Sequence, residues 1–258
     1  MSYRRIVIKV GSHVLTKDLE IARDRMQNIV ELISTLMRID IDVILVSSGA
    51  VLAGYSQLHL DMFSTENKQV LASIGQSYLL RMYQEDFEKQ GMLCSQILIN
   101  TAEFDSKSIT NLAKQAVDNL LKNGVVPIIN ENDVTSIDEL VFGDNDKLSA
   151  HVAHYFDAEL LVLLSDIDAY YDKNPKEYDD AKPYREVSQI PKEDLELELV
   201  SDNEFATGGI VSKLKAIQFI LDNDKEAFLA TGFNLFDVKN FLLNKRHEGG
   251  TFFKKSFD

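Results

Sequence analysis

The chain has 258 residues, 45% of them apolar, and a net charge of −14. This is enough apolar material for one large hydrophobic core or two modest ones. The acidic balance argues against nucleic acids and anionic membranes as partners, because both attract clustered lysine and arginine.

The sequence predicts a cytoplasmic protein. No run of 18 apolar residues that could span a membrane is present, and the amino-terminal segment lacks the apolar core of a signal peptide. The single cysteine, Cys94, lies in an apolar run and has no partner for a disulfide within the chain. A small buried hydrophobic residue is a better interpretation of Cys94 than a nucleophile, and a reducing compartment fits.

Short apolar runs alternate with segments whose apolar residues recur at helical spacing, without internal repeats or low-complexity linkers. This alternation predicts βαβ units, and therefore an α/β fold with a mainly parallel sheet sandwiched between helices. The predicted strands are 6–10, 43–46, 92–99, 125–129, 160–164, 227–230 and 251–253. The predicted helices with definite bounds are 23–39, 67–90, 108–123 and 236–243. Two more are predicted to open after 143–146 and after 207–209, with the apolar stripes Leu148, Val152, Tyr155, Phe156 and Ile210, Leu214, Ile217, Leu221.

The first two predicted strands end in residues that suit a ligand. Lys9 precedes Gly11, whose small size lets the backbone approach a ligand, although an exposed lysine at a sheet edge is an equally good interpretation. The second strand runs into Ser47-Ser48-Gly49, a turn whose amides and hydroxyls suit an anion such as a carboxylate. A serine N-cap would explain the same turn without a ligand.

Gly75 stands in the middle of the predicted helix 67–90, whose apolar stripe includes Val70, Leu71 and Leu79. Glycine costs a helix interior about 1 kcal/mol relative to alanine. Its presence therefore predicts close packing against another element, such as a second helix.

The stretch Pro127–Ala150 organises the chain. Polar residues cluster directly after the predicted strand 125–129, at 130–133, and again at 143–146, where the next helix opens. Ligands in open α/β sheets bind at the carboxyl ends of strands. Asn and Asp also favour caps and turns, but two clusters richer in acids than capping requires favour a binding site. Between them, 134–141 is compatible with a small hairpin.

The carboxyl-terminal half repeats this pattern. The apolar strand 160–164 ends in Ser165-Asp166, and the acidic segment 172–204 is predicted to be a solvated surface segment rather than a lid. Thr207-Gly208-Gly209 then opens a helix that carries Lys213 one turn later. Two glycines and a lysine at a helix N-terminus favour a phosphate-binding turn over simple capping.

Several familiar motifs are absent from the sequence. There is no G-x-x-x-x-G-K-[ST] loop, no G-x-G-x-x-G fingerprint and no G-x-S-x-G turn. His151 and His154 share a helix face without further ligands, so a zinc site is not predicted. Lys9 and Lys213, with carboxylates at other strand ends, instead suit phosphoryl transfer, in which a protein mainly positions two substrates and neutralises charge.

Seven segments resemble those of the glutamate 5-kinase family, part of the amino-acid kinase superfamily, in the same order from Ile6 to about Phe253. They are IKVGSHVLT, VSSGAVLAG, ASIGQ, PIINENDV, FGDNDKLSAHVA, LLSDIDAYYDKNP and ATGGIVSKLKAI. The INEND and GDND pair is the most specific of these. The resemblance implies ATP and L-glutamate as substrates, L-glutamyl 5-phosphate as product, a place in proline synthesis, and Mg²⁺ on the nucleotide.

The resemblance also implies residue roles. Lys9 would contact the ATP phosphates and Lys213 would stabilise the transferring phosphoryl, with Asp146 organising both. Glutamate would bind to Ser48, Asp133 and Asn145, supported by Asn130 and Asp144. The nucleotide would bind to Lys9, Ser165, Asp166, Thr207, Gly208, Gly209, Ile210, Val211, Ser212 and Lys213, and no protein metal ligand is assigned. Ser165 stands where the family commonly has threonine, and Ala206 where glycine is usual.

At the level of the whole molecule, the resemblance implies one amino-acid kinase domain over 1–258. Its amino-terminal part would bind the amino acid, and the part from about 160 the nucleotide, without the PUA domain of longer relatives. Proline would be a feedback inhibitor, and the protein a homodimer or tetramer. Two alternatives are another small carboxylate or carbamate kinase of the same fold, against which the INEND and GDND pair argues, and a silent amino-acid sensor, which would not need both lysines.

Overall fold

The structure is a computed structural model that describes residues 3–62, 64–136, 145–196 and 208–255. It bears out the predicted architecture of a mainly parallel sheet between helices. Within the described residues, no helix has the length and apolar character needed to cross a membrane.

Ten strands are formed by the described residues. They are β1 (Arg5–Val10), β2 (Thr16–Lys17), β3 (Glu20–Ile21), β4 (Asp42–Ser47), β5 (Leu93–Leu98), β6 (Val125–Asn130), β7 (Leu160–Ser165), β8 (Glu186–Val187), β9 (Glu226–Thr231) and β10 (Thr251–Phe253). Eight of them form one sheet in the order β5-β6-β4-β1-β7-β9-β10-β8, while β2 and β3 form a separate small hairpin. Only the β9–β10 pairing within the large sheet is antiparallel.

Nine α-helices lie in the described part of the chain. They are α1 (Ser12–Leu15), α2 (Arg23–Arg38), α3 (Ala50–Tyr55), α4 (Thr65–Lys89), α5 (Lys107–Lys122), α6 (Asp146–Tyr155), α7 (Lys192–Glu196), α8 (Gly208–Asp222) and α9 (Phe236–Leu243). Each helix predicted from the sequence is present, with its ends shifted by a few residues at most. A 3-10 turn at Thr101–Asp105 precedes α5.

Two hydrophobic layers cover the two faces of the sheet. Ile6 and Ile8 of β1 point into the layer built with α2, α4 and α9, whereas Val7 points into the layer built with α5, α6 and α8. This alternation follows from the two-residue period of a strand. Burial on both faces also explains why β7, which is buried along its entire length, has a nearly uninterrupted apolar sequence.

Strand β1 divides the sheet into two halves. The chain first builds β4, β5 and β6 on one side of it and then β7 and β9 on the other. All of these strands run parallel to β1 or to one another, so their carboxyl ends meet at one edge. The strand order changes direction at β1, and open α/β sheets bind ligands at the carboxyl ends of strands next to such a change of direction.

Gly75 confirms the close helix packing that its position predicted. A Cβ atom at Gly75 would lie 1.8 Å from the Ala50 carbonyl oxygen and 2.3 Å from the Gly54 backbone nitrogen, both in α3. Gly54 in turn leaves no room for a side chain against the backbone of Leu71 in α4. The two helices therefore touch backbone to backbone.

Three further expectations are resolved by the fold. Val70 is 45% exposed and does not belong to the buried face of α4, which continues instead through Tyr83 and Phe87. Residues 172–196 are mostly exposed, as predicted, but their strand β8 also pairs with β10 at the sheet edge. The hairpin predicted at 134–141 lies largely outside the described residues.

Candidate active site

A buried carboxylate joins the two lysines singled out by the sequence. Asp146 Oδ1 lies 2.8 Å from Lys9 Nζ, and Asp146 Oδ2 lies 3.1 Å from Lys213 Nζ. Lys9 and Asp146 are 0% exposed, and Lys213 is 3% exposed. The interpretation of Lys9 as an exposed edge lysine is therefore wrong, because β1 is the central strand of the sheet.

Three elements bring these groups together from distant parts of the sequence. Lys9 is the penultimate residue of β1, Asp146 is the first residue of α6, and Lys213 lies in the second turn of α8. Helices α6 and α8 pack against each other on one face of the sheet, and both begin near its carboxyl edge. Removing either partner of such a buried ion pair would leave an uncompensated buried charge.

Ser212 adds a third contact to the same carboxylate. Its Oγ donates to Asp146 Oδ2 over 2.6 Å. The resemblance placed Ser212 along the nucleotide phosphates, whereas the structure shows its hydroxyl on Asp146. Both carboxylate oxygens of Asp146 are therefore contacted, Oδ1 by Lys9 and Oδ2 by Lys213 and Ser212.

A chain of amides lies beside this carboxylate. Asn145 Nδ2 donates to the backbone carbonyl of Ser47 over 2.7 Å and to Asn130 Oδ1 over 2.5 Å. Asn130 Nδ2 in turn donates to Gln76 Oε1 over 2.6 Å. Asn145 is the residue before α6, yet its side chain makes no capping hydrogen bond. Simple capping therefore does not explain Asn145.

The turn after β4 approaches the same amides. Ser48 is buried, and its backbone N–H donates to the Val10 carbonyl, which ties the ends of β4 and β1 together. The N-cap of α3 is Gly49, with φ at +97°, and no side chain caps the helix. The alternative of a serine N-cap is therefore wrong, and a left-handed backbone explains the glycine.

A cleft of about 210 Å³ opens next to the turn after β6. Its lining includes Gln76 from α4, Gln96 from β5, and Glu131 and Asp133 from the turn. Glu131 is held by Thr101, whose backbone N–H donates to Oε1 and whose hydroxyl donates to Oε2. Burial, reinforced by the charge of Glu131, raises the pKa of the Asp133 carboxyl to about 6.

Ser165 and Asp166 lie at the end of β7, on the other side of β1. Ser165 Oγ donates to Asp166 Oδ1 over 2.9 Å. Partial burial opposes ionisation of Asp166, but hydrogen bonds from Ser165 and from its own backbone outweigh it, with help from the charges of His13 and Lys213. The pKa of Asp166 is therefore lowered.

The phosphate-binding turn predicted at the start of α8 lies partly outside the described residues. Asp144, Ala206 and Thr207 are among the residues that the structure does not describe. Helix α8 begins at Gly208, and a Cβ atom at Gly209 would meet no atom of a described residue within 4 Å. Ile210 and Val211 are half-buried along this first turn.

The two histidines of α6 have a structural explanation. His151 stacks on Phe219 at 4.8 Å between ring centroids, and burial lowers its pKa to about 4. No group of three potential ligands that could hold a metal ion occurs among the described residues. A zinc site on α6 was not predicted, and these contacts account for His151.

Sequence reasoning missed two contributors to this region. Gln76 belongs to the ASIGQ segment, but neither its residue type nor its spacing indicated a contact with Asn130. The second contributor is the backbone carbonyl of Ser47, and every residue type has such a group, so the sequence gives no indication of its role. A sequence pattern cannot show either contact. The first depends on how α4 lies against Asn130 at the end of β6, and the second on how β4 lies against Asn145.

Comparison with known proteins places these observations in a family. The sequence profile described as "Amino acid kinase family" matches residues 4–230. The chain belongs to the amino acid kinase family. Within that family, a protein of Wolinella succinogenes named glutamate 5-kinase is 50% identical over 97% of each chain. A glutamate 5-kinase of Leishmania donovani is 46% identical, covering 98% of this chain and 95% of its own.

Solved structures of other kinases share the fold. An isopentenyl phosphate kinase has a TM-score of 0.66 at 17% identity, covering 97% of this chain and all of its own. A carbamate kinase from Giardia lamblia bound to AMP-PNP also has a TM-score of 0.66, at 16% identity, covering 98% of this chain and 99% of its own. At such low identity these likenesses show the common architecture.

Proposed function

We propose that this chain is a glutamate 5-kinase, which uses ATP to phosphorylate the γ-carboxylate of L-glutamate. The products are L-glutamyl 5-phosphate and ADP, and the reaction is the first step of proline biosynthesis. The buried Lys9–Asp146–Lys213 bridge at the central strand carries the proposal for phosphoryl transfer. The 50% identity to a glutamate 5-kinase over 97% of both chains supports glutamate as the acceptor.

The reaction needs no covalent intermediate with the protein. A γ-carboxylate oxygen of glutamate forms a bond to the γ-phosphorus of ATP, while the bond to the β,γ-bridging oxygen breaks and ADP leaves. The protein must position the two substrates in line and stabilise the charge that spreads over the transferred phosphoryl. Lys9 and Lys213 supply ammonium groups for this, and Asp146 keeps both in place before the substrates arrive.

Glutamate binds on the amino-terminal side of β1 in this proposal. Ser48 and Asn145 offer polar groups for its carboxylates and ammonium, and Asp133 offers a carboxylate for the ammonium. Asn130 is assigned a supporting role, and the 2.5 Å hydrogen bond that its Oδ1 accepts from Asn145 Nδ2 supports this assignment. Asp144, outside the described residues, is assigned a supporting role from its place in the GDND segment.

ATP binds on the other side of β1, in the part of the chain from about 160. Ser165 and Asp166 approach the nucleotide, and the segment from Thr207 to Lys213 follows its phosphates. The two substrates then meet at the end of the central strand, within a single domain spanning 1–258.

In this proposal Mg²⁺ is bound mainly by the phosphates of the nucleotide and not by a full set of protein ligands. Among the described residues, no group of three potential ligands could hold a metal, and both oxygens of Asp146 face lysines. Mg²⁺ in kinases is commonly held by substrate phosphates, water and only one or two carboxylates. When bound, it would neutralise phosphate charge and help ADP to leave.

A coupled ADP-release assay tests the proposed function. Glutamate, aspartate, N-acetylglutamate and carbamate are compared as acceptors with MgATP, and the acyl phosphate is trapped with hydroxylamine. We expect glutamate to give the highest kcat/KM and a hydroxamate product. A higher kcat/KM with any of the other three acceptors would replace glutamate in the proposal, and no turnover with any acceptor would favour the silent sensor.

Proline is proposed as a feedback inhibitor that competes with glutamate. Proline shares the α-carboxylate and a protonated amine with glutamate, so it can use the same polar groups near Asn145 and Asp133. We expect millimolar proline to raise the apparent KM for glutamate while the limiting rate at saturating glutamate is retained. Rates that do not change in millimolar proline would contradict this regulation. A cytoplasmic location is part of the same proposal, because ATP is supplied there.

A further inference from the structure

The orientation of the amide chain is determined by backbone groups that can play only one role. The Glu131 N–H, which can only donate, faces Asn130 Oδ1 at 3.0 Å. The Ser47 carbonyl, which can only accept, faces Asn145 Nδ2 at 2.7 Å. An amide presents one oxygen acceptor and one nitrogen donor, so both side chains have only one orientation that fits.

In this orientation one buried acceptor, Asn145 Oδ1, has no donor among the described residues. Asn145 is 2% exposed. A buried acceptor without a donor loses about 1 to 3 kcal/mol, so each such atom in a native protein calls for an explanation. A ligand with an N–H donor, such as the ammonium of an amino acid, would satisfy it.

Gln76 secures the far end of the chain. Its Oε1 accepts from Asn130 Nδ2 at 2.6 Å, and Asn130 is 3% exposed. Without that acceptor, the Asn130 amide must either leave a buried N–H unsatisfied or rotate towards another acceptor. Rotation would move Oδ1 away from Asn145 and release the Asn145 amide.

The position of Gln76 is itself fixed by packing. It follows Gly75, whose Cα faces the α3 backbone so closely that a Cβ atom would lie 1.8 Å from the Ala50 carbonyl. The helix turn that carries Gln76 therefore cannot slide along α3. Because packing fixes the position of this helix turn, Gln76 can hold the Asn130 amide in one position.

We propose that Gln76 is a positioning residue for the amino-acid substrate. By anchoring Asn130, it fixes the Asn145 amide so that Oδ1 remains available to accept a hydrogen bond from the substrate ammonium. This inference rests on the proposed function, because it takes glutamate as the ligand of Asn145. It adds a residue on α4 that lines the cleft beside Asp133 and acts on the substrate through two other amides.

The test compares two substitutions at Gln76 that differ in hydrogen bonding. Gln76→Leu removes the acceptor and should raise the glutamate KM by about 10-fold or more, as expected when a buried donor loses its partner. The KM for ATP should stay within about twofold. Gln76→Glu keeps an oxygen acceptor for Asn130 Nδ2, so its glutamate KM should stay within about threefold of the wild type.

Two further variants separate positioning from general damage. Gln84→Leu makes the same change at an exposed site two turns along α4 and should leave both KM values unchanged. In an Asn130→Ala background, Gln76→Leu should add less than about a twofold change, because the group that it anchors is gone.

The outcomes distinguish this inference from the proposed function. Wild-type protein that does not phosphorylate glutamate would overturn the proposed function itself. Wild-type activity together with a Gln76→Leu glutamate KM within twofold of normal would overturn only the role of Gln76. If Gln76→Leu does not fold, Gln76→Glu decides: a rise in glutamate KM above about 10-fold would overturn the positioning role, because the acceptor is retained.

Discussion

Asp146 shows how one residue can organise two charges that the sequence separates widely. Lys9 and Lys213 are 204 positions apart, and each lies within 3.1 Å of an oxygen of this carboxylate. The carboxylate holds both ammonium groups in a site shielded from water, where electrostatic interactions are stronger than in solvent. Such pre-organised charge is what stabilises a transferring phosphoryl without rearrangement of the protein during the reaction.

The first prediction concerns Lys213. Lys213→Ala should lower kcat by at least about 100-fold, or roughly 3 kcal/mol, because its charge matters most while the phosphoryl is transferred. Glutamate affinity, measured by isothermal titration, should change little. Lys215→Ala is the matched control, since Lys215 is exposed on the same helix. An activity loss below tenfold in a folded Lys213→Ala protein would contradict the assigned role.

Asp133 is the residue whose role the structure sharpens most. If Asp133 only capped its turn, its carboxylate would accept a backbone hydrogen bond. Within the described residues no such bond is formed, and its pKa of about 6 reflects burial and the nearby Glu131 charge. A half-buried carboxylate that accepts no hydrogen bond from a described residue suits a cationic ligand such as the ammonium of glutamate.

The second prediction follows for substitutions at Asp133. Truncating one partner of a buried charge pair costs about 2 to 5 kcal/mol, so Asp133→Ala should raise the glutamate KM by at least about 30-fold. The ATP KM should stay within a few-fold. Asp133→Asn keeps the shape but loses the charge and should show the same glutamate defect. An unchanged glutamate KM with only a lower melting temperature would support the turn-cap role instead.

The pH dependence has a definite sign. Binding of an ammonium needs the ionised carboxylate, so kcat/KM for glutamate should fall as the pH drops through about 6, the pKa of Asp133. The same raised pKa means that the folded protein, without ligand, loses stability as the pH rises from about 4 towards that value. Ligand-free Asp133→Asn should therefore be no less stable than the wild type at pH 7.5.

At the scale of elements, the contact between α3 and α4 links the serine turn to the amide chain. Gly54 and Gly75 let the two helix backbones meet, which fixes the distance between the turn before α3 and the residue Gln76 that follows Gly75. The serine turn and Gln76 are therefore held by one packed pair of helices. The sequence indicated this contact because a mid-helix glycine has a cost that needs compensation.

The third prediction tests that packing. Gly75→Ala should lower the free energy of unfolding by about 3 kcal/mol or more, because its Cβ would overlap backbone atoms that cannot move aside as a side chain can. Urea denaturation followed by circular dichroism measures the loss. Ser77→Ala, at an exposed site on the same helix, should stay within about 0.5 kcal/mol of the wild type. Equal stability of the two variants would show that α3 and α4 can separate at little cost.

At the scale of the whole molecule, no described strand pairs with the outer edge of β5. Strand β5 ends the strand order, and its Leu93 and Leu98 are 65% and 42% exposed. An exposed strand edge with apolar side chains is a template for pairing with another chain. The net charge of −14 does not prevent such association, because interface cores are depleted of charged residues.

The last prediction is that the protein is a homodimer or a tetramer. Multi-angle light scattering at micromolar protein should give two or four times the chain mass, with little change between 50 and 300 mM salt if the contact is mainly apolar. A single monomeric peak across that range would contradict the assembly.

The sequence by itself determined the order of the longer strands and helices, because hydrophobic periodicity is a local property, but it did not predict the short elements β2, β3, β8, α1 and α7. The apolar run 160–164 and the stripe that begins at Leu148 each required only neighbours along the chain to be recognised. The position of the site at strand ends also followed from sequence, since parallel βαβ units place those ends at one edge. The special roles of Lys9, Asp146 and Lys213 came from family resemblance and from their places at element ends.

Only the tertiary structure decided which side chains touch. Lys9 could have been an exposed edge residue until β1 proved to be the central strand, since the place of a strand in a sheet depends on long-range pairing. The hydrogen bonds of Gln76 to Asn130 and of Asn145 to the Ser47 carbonyl depend on how separate elements lie against one another. Such contacts join residues that are tens of positions apart, and no local pattern carries information about them.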